Sequence, residues 1–233
     1  MISIILPTYN EAGNIANLIN QISLILKKRQ YEIIVVDDNS PDKTWQIVQQ
    51  LSQKNHHLRL IRRINQRGLT SAFNRGIQSS QGDIIGWLDS DLSHPPALLD
   101  QMYKKLKMCD AVVASRYIRG AKDSRKEITA VIFSRLINLL SQILLDWSLT
   151  DFTSGYILVK KIYLSSITLQ GDYGEYFIDL LLKLKRAGAL IKEIPYNNVS
   201  RVFGESKTGG NIWALLYRGR KYIITIFSLW LKK

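Results

Sequence analysis

Five short apolar runs punctuate the first 115 residues: ISIIL (2–6), EIIVV (32–36), LRLIR (58–62), DIIGWL (83–88) and AVVAS (111–115). The first is a short β-branched run bounded by Pro7 and reads as a buried strand, and the other four read as strands after it. The segments between them are helical. Ile15, Leu18, Ile19, Ile22, Ile25 and Leu26 recur at helical spacing. Ser40-Pro41-Asp42 reads as a helix start, with Ser40 at the N-cap, Pro41 at the first helical position and Trp45, Val48 and Leu51 on the inner face. LTSAFNRGI (69–77) and PPALLDQMYKKLK (95–107) read as two further helices. Repeated β-α units predict an α/β fold: a mostly parallel sheet, flanked by helices and joined by right-handed crossovers.

The rest of the chain is less regular. It contains a very apolar helix near 127–147, a helix near 174–187 ended by Gly188, and an extended piece, LIKEIPYNNVS (190–200). A Gly-rich basic loop, RVFGESKTGG (201–210), and a final helix-like segment follow. There is no repeat, low-complexity tract or linker, so 1–233 reads as one domain. The 22% charged and 46% hydrophobic content suits a packed core rather than a disordered chain. Neither of the two most apolar stretches reads as a membrane span. The stretch 130–147 is interrupted by Arg135 and Asp146, and 222–231 falls well short of the ~20 residues a span needs. The lone Cys109 reads as structural, excludes an intrachain disulfide or a cysteine zinc site, and fits a reducing compartment. The start, MISIILPTYNE, has no basic n-region or small-residue cleavage site.

In open α/β sheets, ligands bind beyond the carboxyl ends of the strands. There the sequence places Pro7, Tyr9 and Glu11; Asp37, Asp38 and Ser40; Asp89, Ser90 and Asp91; and Ser115, Arg116 and Tyr117. Five of the 19 acidic residues thus share one edge of a chain with net charge +13. Taken singly, each of these aspartates also reads as a turn or cap residue. Together they read as a site. Asp89 and Asp91 would repel unless a hard cation lay between them, and Mg²⁺ is typically held by one or two carboxylates plus substrate phosphates. The opposite charge is supplied by Arg116, with a guanidinium fork suited to phosphate, and by Arg201 and Lys207 in the glycine-rich loop. No P-loop or G-x-G-x-x-G fingerprint is present, which removes the main support for an NTPase or dinucleotide oxidoreductase. His56 and His57 read as surface residues, and His94 as part of a turn in preference to a ligand contact.

The segments IILPTYNEAGNI, EIIVVDDNSPDKT, RGLTSAFNRGI, SQGDIIGWLDSDLSHPP, ASRY, DFTSGY and RVFGESKTGG together resemble the family 2 glycosyltransferases of the GT-A (Rossmann-like) fold. Within that family they look most like the dolichol- and polyprenol-phosphate mannose synthases. The likeness covers about the whole chain. It implies a nucleotide-sugar-binding half over about 1–120, an acceptor-binding half over about 121–211 and an amphipathic tail over about 212–233. The implied reaction moves a sugar, usually mannose from GDP-mannose, to a polyprenyl monophosphate with inversion. Carried over by position, Pro7, Tyr9, Glu11, Val36 and Asp38 would hold base and ribose. Asp89 and Asp91 would bind Mg²⁺ or Mn²⁺, with Ser90 alongside. Arg116, Arg201 and Lys207 would meet the diphosphate or the acceptor phosphate and, with Asp91, make up the catalytic set. The sequence departs from the pattern at Ser93, where the mannose synthases have glutamine. A water between Ser93 and the metal, or a different donor sugar, would reconcile it. DFTSGY keeps an Asp-x-x-Ser-Gly frame with no role assigned.

A lipid monophosphate is already ionised near neutrality, because its second pKa is about 6, and it attacks without a general base. A saccharide hydroxyl would need one, and Asp179 is the candidate. A UDP-sugar-dependent polyprenyl-phosphate glucosyl- or aminosugar-transferase is the alternative that Ser93 leaves open. The basic balance fits an anionic bilayer surface, where each Lys or Arg contributes ~1 kcal/mol. The helix near 127–147 and the tail, with Trp213, Arg218, Arg220, Lys221, Trp230, Lys232 and Lys233, suit helices lying in that interface. This predicts a peripheral protein on the cytoplasmic face of a membrane. A buried core helix or a dimer contact is the other reading of 127–147, and a separate membrane subunit is the other partner for the tail. The charge also raises a nucleic-acid-binding module, but the acidic strand edge and the absence of a reader motif count against it.

Overall fold

The computed structural model describes residues 1–199 and 212–232. Five strands fall on the apolar runs: β1 (Ile2–Thr8), β2 (Tyr31–Asp37), β3 (Leu58–Arg62), β4 (Ile84–Trp87) and β5 (Ala111–Ser115). Further strands are β6 (Lys122–Ser124), β7 (Ile157–Lys160), β8 (Ile191–Pro195) and β9 (Asn197–Val199). The main sheet has the order β3-β2-β1-β4-β7-β5-β8, and β6 pairs with β9 in a small second sheet. In the main sheet every pairing is parallel except those of β7, which runs antiparallel between β4 and β5. The carboxyl ends of β1, β2, β4 and β5 therefore share one edge with the start of β7. One sheet thus carries strands from both sides of residue 120.

The helices are α1 (Ile15–Leu26), α2 (Thr44–Ser52), α3 (Leu69–Ser79), α4 (Leu98–Leu106), α5 (Ile128–Leu144), α6 (Glu175–Arg186) and α7 (Ile212–Trp230). The pleat divides the core into two layers, because successive strand residues face opposite sides. Ile4 and Leu6 of β1, with Ile33 and Val35 of β2, pack with α1, α2 and α4. Ile5, Ile34 and Val36 pack on the other face with α3, α6 and α7. Each such side chain contributes about 1.5–3 kcal/mol when fully buried. Helix α3 sits directly on β1 at Gly76, where a Cβ would fall 2.4 Å from Ile5 Cγ2.

The start of α2 differs from the sequence expectation. The helix begins at Thr44, not at Pro41. Ser40 Oγ donates to Asp37 Oδ2 at 2.7 Å and accepts from Asn10 N–H at 3.0 Å, so it ties two loops together instead of capping. Asp42 takes the capping part, with its Oδ1 accepting Thr44 N–H at 3.0 Å.

Helix α5 is turned inside out relative to an ordinary surface helix. It buries Ser134, Ile137, Asn138 and Ser141. It exposes Ile128, Ile132 (53%), Leu136 (59%), Leu139 and Ile143, and Trp147 follows at 69%. It packs against α7, which exposes Ile223, Ile224, Phe227 and Trp230. The reading of 127–147 as a buried core helix is therefore wrong. Among the described residues, no helix is long and apolar enough to cross a membrane.

Candidate active site

The shared strand edge opens into a cavity of about 610 Å³. Pro7, Tyr9, Glu11, Asp38, Asp89, Ser90, Asp91, Ser93 and Arg116 all line it. Val36 does not: it is fully buried and its side chain packs in the core, which corrects its expected place at the base and ribose. Arg201 and Lys207 lie outside the described residues. A second cavity of about 720 Å³, beside Ile84, Tyr103 and Lys160, opens at the other end of the sheet and contains none of these residues.

Two adjacent aspartates end β2 and have different jobs. Asp37 is fully buried and accepts Thr8 Oγ1, Ser40 N–H and Ser40 Oγ at 2.7–2.8 Å, so it is a turn residue. Asp38 faces the cavity. Its Oδ1 accepts Arg63 Nε at 2.7 Å and its Oδ2 accepts Gly68 N–H at 2.9 Å. Arg63 is itself buried and donates to Ser71 Oγ at 2.8 Å and to the Gly68 carbonyl at 3.0 Å. Gly68 has φ +142°, a conformation that excludes other residues without strain. This network pins the loop between β3 and α3, and it sets Arg67 3.8 Å over the Tyr9 ring. Sequence reasoning missed Arg63 and Arg67, because a basic run between a strand and a helix carries no periodic signal.

The end of β4 presents the carboxylate pair. Ser90 Oγ donates to the Pro7 carbonyl at 3.0 Å, anchoring the turn to β1. Asp91 is largely buried, and its Oδ1 accepts Ser93 N–H at 3.0 Å. Leu92 adopts φ +66° to close this turn, at about 1–3 kcal/mol for a bulky residue. Ser93 thus contributes its backbone to orienting Asp91. Asp89 is half exposed, and its N–H donates to His94 Nδ1 at 3.0 Å. His94 therefore carries its proton on Nε2. Its ring stacks on Tyr156 at 5.1 Å, and it also lines the cavity. Tyr176 closes the floor, its hydroxyl accepting from Trp87 Nε1 at 3.1 Å, and burial pushes its pKa well up.

Among the described residues no cluster of three or more His, Cys, Asp and Glu could cage a metal. Two carboxylates on one cavity wall, one oriented by a backbone N–H, fit instead a cation that completes its shell from substrate phosphates and water. That is the habit of Mg²⁺ and Mn²⁺.

Arg116, at the end of β5, is committed on one side. Its backbone N–H and Nε donate to Asp151 Oδ2 at 2.9 and 2.8 Å. Its Nη2 reaches Asp151 Oδ1 and Thr153 Oγ1, both at 2.7 Å. Burial alone would lower the Arg116 pKa, but the Asp151 charge and hydrogen bonds raise it well above its ordinary value. Only part of the fork, Nη1 above all, is left for a phosphate. Asp151 gives the DFTSGY frame its part: it orients Arg116. Glu193 of β8 supports it in turn, accepting Asp151 N–H and Thr150 N–H at 2.9 Å. Burial pushes the Glu193 carboxyl up despite these bonds. Arg125 and Glu127, just before α5, and Tyr222 of α7 complete the rim. Asp179 does not line the cavity, and its carboxylate accepts Lys183 Nζ at 2.6 Å, so it is no candidate base.

Residues 3–168 match the family described as Glycosyl transferase family 2. The chain belongs to the family 2 glycosyltransferases. This family 2 chain is 33% identical to a dolichol-phosphate mannosyltransferase of Pyrococcus furiosus, over 90% of its own length and 59% of that protein's. It is 29% identical to an undecaprenyl-phosphate mannosyltransferase of Micrococcus luteus, over 89% of its own length and 87% of the other's. Among solved structures it superposes on a glucosyl-3-phosphoglycerate synthase of Mycobacterium tuberculosis, crystallised with Mn²⁺, UDP and phosphoglyceric acid. The TM-score is 0.73 at 22% identity, covering 98% of this glycosyltransferase and 78% of that chain. The fold is GT-A.

Proposed function

We propose that this glycosyltransferase transfers mannose from GDP-mannose to a polyprenyl monophosphate, inverting the sugar carbon. One observation carries the reading. The polar cavity that contains Asp89 and Asp91 reaches Arg125 and Glu127, and the next residue begins α5, whose exposed face is apolar. A phosphate joined to a hydrocarbon chain matches that junction, and a soluble saccharide does not. The named mannosyltransferase relatives support the same class.

The acceptor phosphate oxygen forms a bond to the sugar carbon as the bond to GDP breaks. The acceptor is ionised near neutrality, so no residue need take a proton. Asp89 and Asp91 would hold Mg²⁺ or Mn²⁺, which when bound neutralises charge on the diphosphate. Tyr9, Glu11, Asp38 and Pro7 face the nucleoside. Arg116, oriented by Asp151, offers Nη1 to the phosphates. Arg201 and Lys207 are proposed as its partners in holding two anions together. The apolar faces of α5 and α7 rest on the cytoplasmic surface of the membrane, with the basic tail on the bilayer or on a separate membrane subunit.

Ser93 favours a second reading, transfer of glucose or an aminosugar from a UDP-sugar. Radiolabelled GDP-mannose, UDP-glucose and UDP-N-acetylglucosamine, each given with a polyprenyl phosphate and with or without Mg²⁺ or Mn²⁺, separate the two. Label should pass from GDP-mannose into the lipid only with metal present. Turnover of a UDP-sugar and not of GDP-mannose would overturn the donor assignment.

A further inference from the structure

Beyond Pro195 the chain stays extended and passes from β5 to β6 as its partner. From Ile194 to Val199 burial alternates. Ile194, Tyr196 and Asn198 are buried, and Pro195, Asn197 and Val199 are exposed. Ile194 and Tyr196 take their places in the apolar core. Asn198 is the next residue on that face, a carboxamide where the alternation calls for a hydrocarbon.

Asn198 is 5% exposed, and its buried Oδ1 has no hydrogen-bond partner among the described residues. Buried polar groups are almost always paired, so an orphaned one on a cavity wall calls for a ligand partner. Asn198 lines the cavity that contains Asp89, Asp91 and Arg116. Its neighbours on that wall are already engaged. Thr153 Oγ1 accepts from Arg116 Nη2 and from Asn138 Nδ2, and Ser154 Oγ accepts Tyr156 N–H. Arg125 donates twice to Asp123, the residue opposite Asn198 in the β6–β9 ladder. The face that Asn198 shares with Tyr196 looks toward the carboxylates. The Tyr196 ring meets His94 edge-on at 5.7 Å, and His94 Nε2 lies 4.0 Å from Asp89 Oδ2.

β2, which ends at Asp38, and β8 lie on opposite sides of β4. With the nucleoside at Asp38 and the diphosphate at Asp89 and Asp91, two groups can reach Asn198: the transferring sugar and the acceptor phosphate. An ionised phosphate accepts hydrogen bonds and donates none, so it leaves an acceptor oxygen orphaned. A sugar hydroxyl both donates and accepts, and serves a carboxamide in either orientation. We propose that Asn198 is a sugar-selecting residue of this site, hydrogen-bonding one hydroxyl of the sugar being transferred. This rests on the reading of the cavity as a nucleotide-sugar site and deepens it, by naming a side chain that tells one sugar from another.

The test is transfer to a polyprenyl phosphate, with Mg²⁺ present, from GDP-mannose and its four monodeoxy analogues. The enzymes are the wild type, Asn198→Ala and Asn198→Leu. In the wild type, loss of the hydroxyl that meets Asn198 should lower kcat/KM about tenfold. In both variants that gap should close to within about twofold, because GDP-mannose itself falls by the same factor. The gaps of the other three analogues should persist. Thermal melting of the ligand-free proteins is the second readout: Asn198→Leu completes the apolar register and should hold or raise Tm. Four unchanged gaps in the variants overturn the assignment. With a fall in Tm they mark a purely structural residue, and with a raised KM for the polyprenyl phosphate they mark a contact to the acceptor. If one variant fails to fold, the other carries the comparison. The donor reading fails separately: wild-type turnover of a UDP-sugar alone refutes GDP-mannose with no variant made. Monodeoxy analogues of that UDP-sugar then decide the role of Asn198 by the same comparison.

Discussion

The Arg116–Asp151 pair is where a single substitution should cost most. Asp151 is fully buried and Arg116 is 6% exposed, so neither charge has water to fall back on. The carboxylate accepts four N–H groups, three from Arg116 and one from the Thr153 backbone. In Asp151→Ala the guanidinium remains buried without its counter-charge. Breaking a buried pair this way costs about 3–5 kcal/mol. For a chain of this size each kcal/mol moves Tm by about 2–4 °C, so a fall near 10 °C is expected. Arg116→Met should cost a comparable amount, since it strands the carboxylate instead. The double variant removes both charges, and its loss should be well short of the sum, with a coupling of about 2 kcal/mol or more. Urea unfolding of the four proteins, read by fluorescence and checked for constant slope, measures the cycle. Transfer activity should stay lost in the double variant although stability largely returns, because Arg116 also faces the cavity. An Asp151→Ala loss under about 1 kcal/mol, or strict additivity, would refute the argument.

Asp89→Asn and Asp91→Asn should each lower transfer by about a hundredfold or more at nearly unchanged Tm, and EDTA should do the same to the wild type until Mg²⁺ or Mn²⁺ is restored. Burial would raise the Glu32 carboxyl pKa, but hydrogen bonds from Gln81 N–H, Ser3 and Arg59 bring it below its ordinary value. Its stabilising contribution is therefore present above about pH 4.5 and lost as pH falls through the lowered pKa, so Glu32→Gln should shrink the Tm drop between pH 7 and pH 3. Gly76→Ala drives a methyl into Ile5 and should cost about 1–3 kcal/mol in urea melts without changing KM. Ile132→Glu with Leu136→Glu alters only exposed side chains, so it should leave Tm in place but abolish co-sedimentation with anionic vesicles.

The parallel half of the sheet was legible because strands buried on both faces read as unbroken apolar runs. β7 was not, since it stands outside the β-α alternation and its place between β4 and β5 depends on pairings remote in sequence. The three-residue strands β6 and β9 give little pattern of their own. The strand-edge rule found the part of the cavity wall that follows β1, β2, β4 and β5, and missed the part built by the loop before α3, the residues before β7 and α6, and α7. It could not separate Asp37 from Asp38, because the turn geometry alone decides which of two neighbouring carboxylates is buried. The family resemblance, not the strand-edge rule, put Val36 in the site, and strand alternation turns that side chain to the core. The partner that limits what Arg116 can do, Asp151, lies beyond a whole helix, and no local spacing announces it.

The antiparallel strand also dictates an order of events during synthesis. β4 is complete at position 87, but its neighbour on the open side begins at position 157. Until then β4 and the nascent β5 each present bare backbone donors and acceptors, the kind of edge that recruits other chains. When β7 slides between them it seals both at once. The same stroke delivers Asp151 to Arg116, since that aspartate lies in the short loop that leads into the strand. A chain stalled before this step is thus both adhesive and incomplete at its cavity, and one that has passed it has its cavity-facing arginine already set.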